Sequence, residues 1–216
     1  LGSSLCRCER EIEEEEMGRD ALDRDARIKL SIGTKKASEA DGKFTDAGGL
    51  VFDHHRGLLL VSDSYYHRVK VFLCDDDDRA GSFVSKFGEK GHQPGKFQHP
   101  SSIAIDHDHD RILVVDQGNN RVQSWSLSEQ SFLSCIGHRG SGDLEFKYPQ
   151  GIAIDKHHHR IIIVDSNNYR LVFLSLVDLS FLFEIGGKRG SQPGEFNCPS
   201  GIAIDDDRHR IIVTDT

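Results

Sequence analysis

The chain has 216 residues, 35 of them acidic and 27 basic, for a net charge of −8 with histidine neutral, and that acid excess weighs against a protein built chiefly to grip nucleic-acid phosphates. Its length allows a sizeable core, no apolar run approaches the roughly 20 residues of a membrane span, and the opening residues show no signal-peptide pattern. Five scattered cysteines, an odd number, do not form a disulfide framework and point to a reducing, cytoplasmic setting.

Residues 1–26 carry the run Glu13-Glu14-Glu15-Glu16 and then Arg19-Asp20-Ala21-Leu22-Asp23-Arg24-Asp25. With almost no apolar stripe, this segment reads as a solvated linker, in part helical, or as the end of a coiled coil. Cys6-x-Cys8 has no second ligand pair nearby and reads as two incidental thiols. Ile28 to Ile32 reads as an outer strand.

From residue 47 the chain repeats. A first anchor aspartate falls at Asp53, Asp106, Asp155 and Asp205, in steps of 53, 49 and 50, and a second at Asp63, Asp116, Asp165 and Asp215 in the same steps. A period near fifty residues marks stacked supersecondary units. Within one unit, Gly151-Ile152-Ala153-Ile154-Asp155 alternates small and large residues, as a strand packed tightly on one side requires. Arg160-Ile161-Ile162-Ile163-Val164-Asp165 is continuously apolar and β-branched, which predicts a strand buried on both faces. Ser166-Asn167-Asn168-Tyr169 reads as a tight turn whose paired Asn take positive φ. Arg170–Leu174 and Phe181–Ile185 read as the third and fourth strands.

Between units, Gly88-Glu89-Lys90-Gly91, Gly137-His138-Arg139-Gly140 and Gly187-Lys188-Arg189-Gly190 each lead to a phenylalanine (Phe97, Phe146, Phe196) three residues before a proline (Pro100, Pro149, Pro199). These returns lack the order of a phosphate-binding loop. The glycines permit tight bends, the phenylalanine plugs between units, and the proline starts the inner strand where no ladder donor is needed. The fold predicted is all-β, a β-propeller of four-stranded antiparallel blades. Its blades are 27–87, 88–136, 137–185 and a partial 186–216, so that the array is incomplete, an open arc or a fragment of a larger ring whose free strand edges favour self-association.

The segments Pro100–Asp106 (PSSIAID), Pro149–Asp155 (PQGIAID), Pro199–Asp205 (PSGIAID), Val114–Val122 (VVDQGNNRV) and Ile163–Leu171 (IVDSNNYRL) together resemble the NHL repeat family of β-propellers. The resemblance spans about residues 27–216. The first unit departs from it, with Ala47 for the proline, Leu50-Val51-Phe52 for Ile-Ala-Ile, and Ser64-Tyr65-Tyr66-His67-Arg68 without the turn asparagines. The resemblance implies an interaction scaffold that recruits proteins or RNA on one face. Such propellers also resemble the substrate-reading parts of tripartite-motif ubiquitin ligases, but the chain has no RING or B-box spacing.

Asp63 and Arg68, Asp116 and Arg121, and Asp165 and Arg170 stand on opposite arms of a hairpin at one spacing, which reads as a structural clamp. The position before the proline differs in every unit (Asp46, His99, Tyr148, Cys198), as a reading surface on a regular scaffold would. It is expected at the channel mouth, on the end formed by the returns and the second hairpin turns. Binding candidates there are His99, Tyr148, the cations Lys90, Lys96, Arg139, Lys147, Lys188 and Arg189, and the turn residues Asn119, Asn120, Asn167 and Asn168. The opposite end carries Asp75–Asp78 and Asp205–Asp207, so the molecule is expected to be electrostatically two-faced. The His-rich links His54-His55, His107-Asp108-His109, His157-His158-His159 and His209 read as polar turns separated blade from blade.

Three functions follow as expectations. The first is a non-catalytic scaffold for a protein partner. The second is RNA binding on the basic end, with Tyr65, Tyr148 or Tyr169 stacking on bases. The third is a metal-dependent lyase or lactonase, which some propellers of related shape are, and which requires convergent ligands with an open position. The inner strands offer Ser102, Gly151 and Gly201 in those places, so no cofactor, no metal and no enzymatic activity are expected.

Overall fold

A computed structural model describes residues 44, 46–74 and 81–216. The readings made for residues 1–26, for Cys6 and Cys8, for the strand Ile28–Ile32 and for the run Asp75–Asp78 lie outside the described residues. All the strands belong to one unit, Ile32–Thr216.

Each repeat folds as a meander. β1 (Ala47–Asp53), β2 (Leu58–Asp63), β3 (Arg68–Leu73) and β4 (Phe83–Phe87) form the first antiparallel sheet, in sequence order. The second is β5 (Pro100–Asp106), β6 (Arg111–Asp116), β7 (Arg121–Ser126) and β8 (Phe132–Ile136). In the return that follows, β9 (His138–Arg139) pairs in parallel with β10 (Glu145–Phe146). The third sheet is β11 (Pro149–Asp155), β12 (Arg160–Asp165), β13 (Arg170–Ser175) and β14 (Phe181–Gly186), and β15 (Pro199–Asp205) pairs with β16 (Arg210–Asp215) in a two-stranded sheet. Ala47 occupies the strand-opening place that proline takes in β5, β11 and β15 without loss of the blade.

The continuous apolar run of β12 follows from its place between two neighbours. Ile161 and Ile163 pack with Leu113 and Val115 of β6, whereas Ile162 and Val164 pack with Ile202, Ile204, Ile211 and Val213. Each side chain so buried contributes about 1.5–3 kcal/mol. Apolar side chains are open at the two ends of the array: Leu50 on β1, the counterpart of Ile152, is 69% exposed, and Ile212 on β16, the counterpart of Ile162, is 52% exposed.

The inner strands β1, β5, β11 and β15 lie close together because their facing residues are small. A Cβ on Gly49 would stand 2.6 Å from the Ser101 carbonyl oxygen, and one on Gly151 would stand 2.6 Å from that of Ser200. Hydroxyls stitch the strands where they meet. Ser62 Oγ donates to the Ser101 carbonyl at 2.5 Å, and Ser101 Oγ donates to that of Gln150 at 2.9 Å.

The phenylalanine of each return is seated by a glycine. Phe97 and Phe146 are fully buried, with Phe97 stacked on Trp125 at 5.3 Å between centroids. Gly88 at φ 82° and Gly137 at φ 95° lie against these rings, and a Cβ there would come within 2.5 Å of ring carbons.

Candidate functional site

The second anchor aspartate organises one end of each blade. Asp116 is fully buried. Its Oδ1 accepts the Gln98 backbone N–H at 2.7 Å, and its Oδ2 accepts Asn119 Nδ2 at 2.8 Å, Arg121 Nε at 2.8 Å and Gln123 Nε2 at 2.9 Å. The Arg121 guanidinium then donates to the carbonyls of His92, Gln93 and Lys96, holding the whole return. The third blade repeats this arrangement. Asp165 accepts from Lys147 N, Asn168 Nδ2 and Arg170 Nε, while Arg170 donates to the carbonyls of Ser141, Gly142 and Glu145. In the first blade Arg68 Nε lies 3.2 Å from Asp63 Oδ2, and the buried Lys70 stands where Gln123 stands, with Nζ 3.3 Å from the same oxygen.

This network alters the reading of the turn asparagines. Asn119 and Asn168 each bond the anchor aspartate and a return carbonyl, that of Gly91 or Gly140, so their amide nitrogens are internal joints. The two Asn-Asn pairs are also one residue out of register with each other. The left-handed residue is Asn120 (φ 55°) in one turn but Tyr169 (φ 55°), not an asparagine, in the other. Asn167 is exposed.

The pre-proline residues do lie next to the preceding blade's turn. Asn120 Oδ1 accepts the Tyr148 backbone N–H at 2.9 Å, and His67 Nδ1 accepts that of His99 at 3.0 Å. His99 and Tyr148 are both held at φ 51°, although proline disfavours helical conformations in the residue before it. Cys198, whose preceding turn ends in Tyr169, instead donates its N–H to Asp215 Oδ1 at 2.6 Å and is not among the residues of positive φ. Burial holds the His67 imidazole below its ordinary pKa, and the nearby His99 and Lys90 act in the same direction.

The cations of this end fall into two groups. Lys96 Nζ is paired with Glu89 at 2.9 Å, Lys188 Nζ with Glu195 at 2.6 Å, and Arg189 Nε donates to Asn197 at 2.8 Å with its guanidinium 5.8 Å from the Tyr169 ring centre. Lys90, Arg139 and Lys147 are exposed. Arg139 and Lys147 line an open cleft of about 440 Å³ together with Gly140, Ser141 and Asn168. The carboxylate of Glu145 is engaged within its own return. Hydrogen bonds from the N–H groups of Gly142 and then Ser141 hold its carboxyl below the usual carboxylate range. Tyr148, half-exposed, follows Lys147 directly.

At the opposite end the histidine links are not separated from blade to blade, as the sequence suggested. His55 stacks on His107 at 4.2 Å and His157 on His209 at 4.2 Å, because each link leans onto that of its neighbour. His109 and His158 bond their own anchor aspartates, Asp106 and Asp155, at 2.9 and 2.8 Å. Those aspartates are paired with Arg111 and Arg160, and Asp205 with Arg210, so this end is less acidic than its count of aspartates suggests. The pairing of the first anchor aspartate with the arginine five residues on was missed in the sequence, though its fixed spacing was visible. Among the described residues no three His, Cys, Asp or Glu side chains converge as a metal-binding group.

Comparison with known proteins agrees with this architecture. A protein-family model described as a 6-bladed beta-propeller matches residues 50–138. No curated protein matches the chain by sequence. Among solved structures, the chain is similar to Kuenenia stuttgartiensis hydrazine synthase, with a TM-score of 0.59 and 11% identity over 84% of this chain and 45% of that one. It is also similar to a chain of a nidogen/laminin complex, with a TM-score of 0.57 and 16% identity over 78% of this chain and 56% of that one. The chain thus spans about half the length of these structures. At such identities the likeness is one of fold: the chain is a β-propeller array of four-stranded antiparallel blades.

Proposed function

We propose that this propeller array is a non-catalytic interaction scaffold of NHL type, which binds an acidic segment of a protein partner on the end formed by the returns and the Asp–Asn–Arg turns. The observation that carries this reading is the cleft between Arg139 and Lys147. Both side chains are exposed, and Glu145 of the same return is bonded to backbone N–H groups and to His138. A carboxylate brought between the two cations would make charge-assisted hydrogen bonds. The half-exposed Tyr148 adds an aromatic contact of the kind enriched at interfaces. One of the similar structures is, by its title, a nidogen/laminin complex, which supports a binding role. A recognition part of a ubiquitin ligase is one setting in which such a scaffold would serve.

RNA is the weaker reading. The net charge is −8, and of the stacking candidates Tyr169 lies beside the Arg189 guanidinium and Tyr65 packs edge-on against Tyr66.

The test is capture of partners from native lysate on the wild-type chain and on the Arg139→Glu/Lys147→Glu variant, with and without RNase. The proposal predicts a protein set that survives RNase and is lost with the variant. Capture that disappears with RNase would replace it with RNA binding, and capture unchanged by the variant would move the binding surface elsewhere.

A further inference from the structure

The junctions between successive blades are fastened at one equivalent point in two different ways. Between the second and third blades, the left-handed residue closing the turn is Asn120, whose Oδ1 accepts the Tyr148 N–H at 2.9 Å. Between the first and second, the left-handed residue is His67 (φ 56°), whose Nδ1 accepts the His99 N–H at 3.0 Å. An amide oxygen accepts at any ordinary pH. An imidazole nitrogen accepts only while it is unprotonated.

We propose that His67 is a proton-sensitive latch, which fastens the first blade to the second while neutral and releases the His99 end of the intervening return when protonated. The backbone N–H of His99 can only donate, so Nδ1 must be the bare nitrogen and the proton of the neutral ring sits on Nε2. Protonation turns Nδ1 into a donor facing a donor, in a site where His67 is 93% buried. The imidazole of His99 packs edge-on against the same ring at 4.6 Å, so a second positive charge there adds repulsion. His99 and Lys90 from the return oppose the protonated state, and Asp63 at the end of β2 and Asp116 at the end of β6 favour it.

The sign follows from the shift. The pKa of His67 in the closed junction lies below its ordinary value of 6.5, so the latch is complete above that value and weakens as pH falls from it through the depressed pKa. In that interval the ratio of fastened to released junction drops about tenfold per pH unit. His99, on the candidate binding end, sits on the part of the return that is released, while Asp116 and Arg121 go on holding Gln98, Lys96, Gln93 and His92.

The experiment compares hydrogen-exchange protection factors of the His99 and Tyr148 amides in one sample of the full chain between pH 7.5 and 5. The proposal predicts that His99 loses protection relative to Tyr148 as pH falls below 6.5, by up to about tenfold per pH unit until the depressed pKa is passed, and that His67→Asn, which installs the group used at the next junction, removes the difference. Parallel behaviour of the two amides in the wild type, or an undiminished loss in His67→Asn, would overturn it. If the variant fails to fold, titration of the His67 ring by NMR in the wild type decides. A pKa at or above 6.5 refutes the latch, and one below it, coinciding with the loss at His99, supports it.

Discussion

Asp116 holds four donors at once, and one of them, Arg121, holds three carbonyls of the return in turn. Replacing Asp116 with alanine leaves a buried guanidinium without its carboxylate, a change that costs about 3–5 kcal/mol. Urea unfolding should show a loss of that size, and a loss below about 1 kcal/mol would mean that the return is fastened by other contacts. The five-residue interval between aspartate and arginine was visible in the sequence because three units carry it in the same place. Which asparagine sits inside the clamp was not. DQGNNR and DSNNYR place their Asn pairs one residue apart relative to the aspartate, and only the conformation of the turn shows that Asn119 and Asn168 are equivalents. His67 was hidden for a similar reason, since its unit lacks the asparagines that made the other turns recognisable.

The return is the element that turns separate meanders into an array. It crosses from the outer strand of one blade to the inner strand of the next, and its phenylalanine fills the space between them. Phe146→Ala should lower stability by about 3–5 kcal/mol as measured by denaturant unfolding. Phe196→Ala should cost less, because Phe196 is only partly buried, and equal losses would contradict the plug role. Strands and returns were legible because alternation, β-branching and glycine placement act locally. The contact of neighbouring histidine links was not, because it depends on how adjacent blades lean together. The tethers from Arg56 Nη1 to the Leu127 carbonyl at 2.7 Å, and from Arg111 to that of Leu176, belong to the same class of long-range contact.

At the scale of the molecule the two ends of the array differ in chemistry. One end pairs its anchor aspartates with arginines, whereas the other presents Lys90, Arg139 and Lys147 beside His99 and Tyr148. Regular blades supply a rigid frame, and the residues that differ from blade to blade stand on the end we assign to recognition. Binding there should weaken with added salt, since exposed cations are screened within a Debye length of about 8 Å at physiological ionic strength. A partner affinity unchanged between low and high salt would point to the apolar surfaces of Leu50 and Ile212 instead. The most direct measurement is a hydrogen-exchange difference map of the chain with and without a captured partner. The account predicts new protection in the returns, at residues 89–99 and 138–148. Protection confined to the histidine links at residues 107–110 and 156–159 would contradict it.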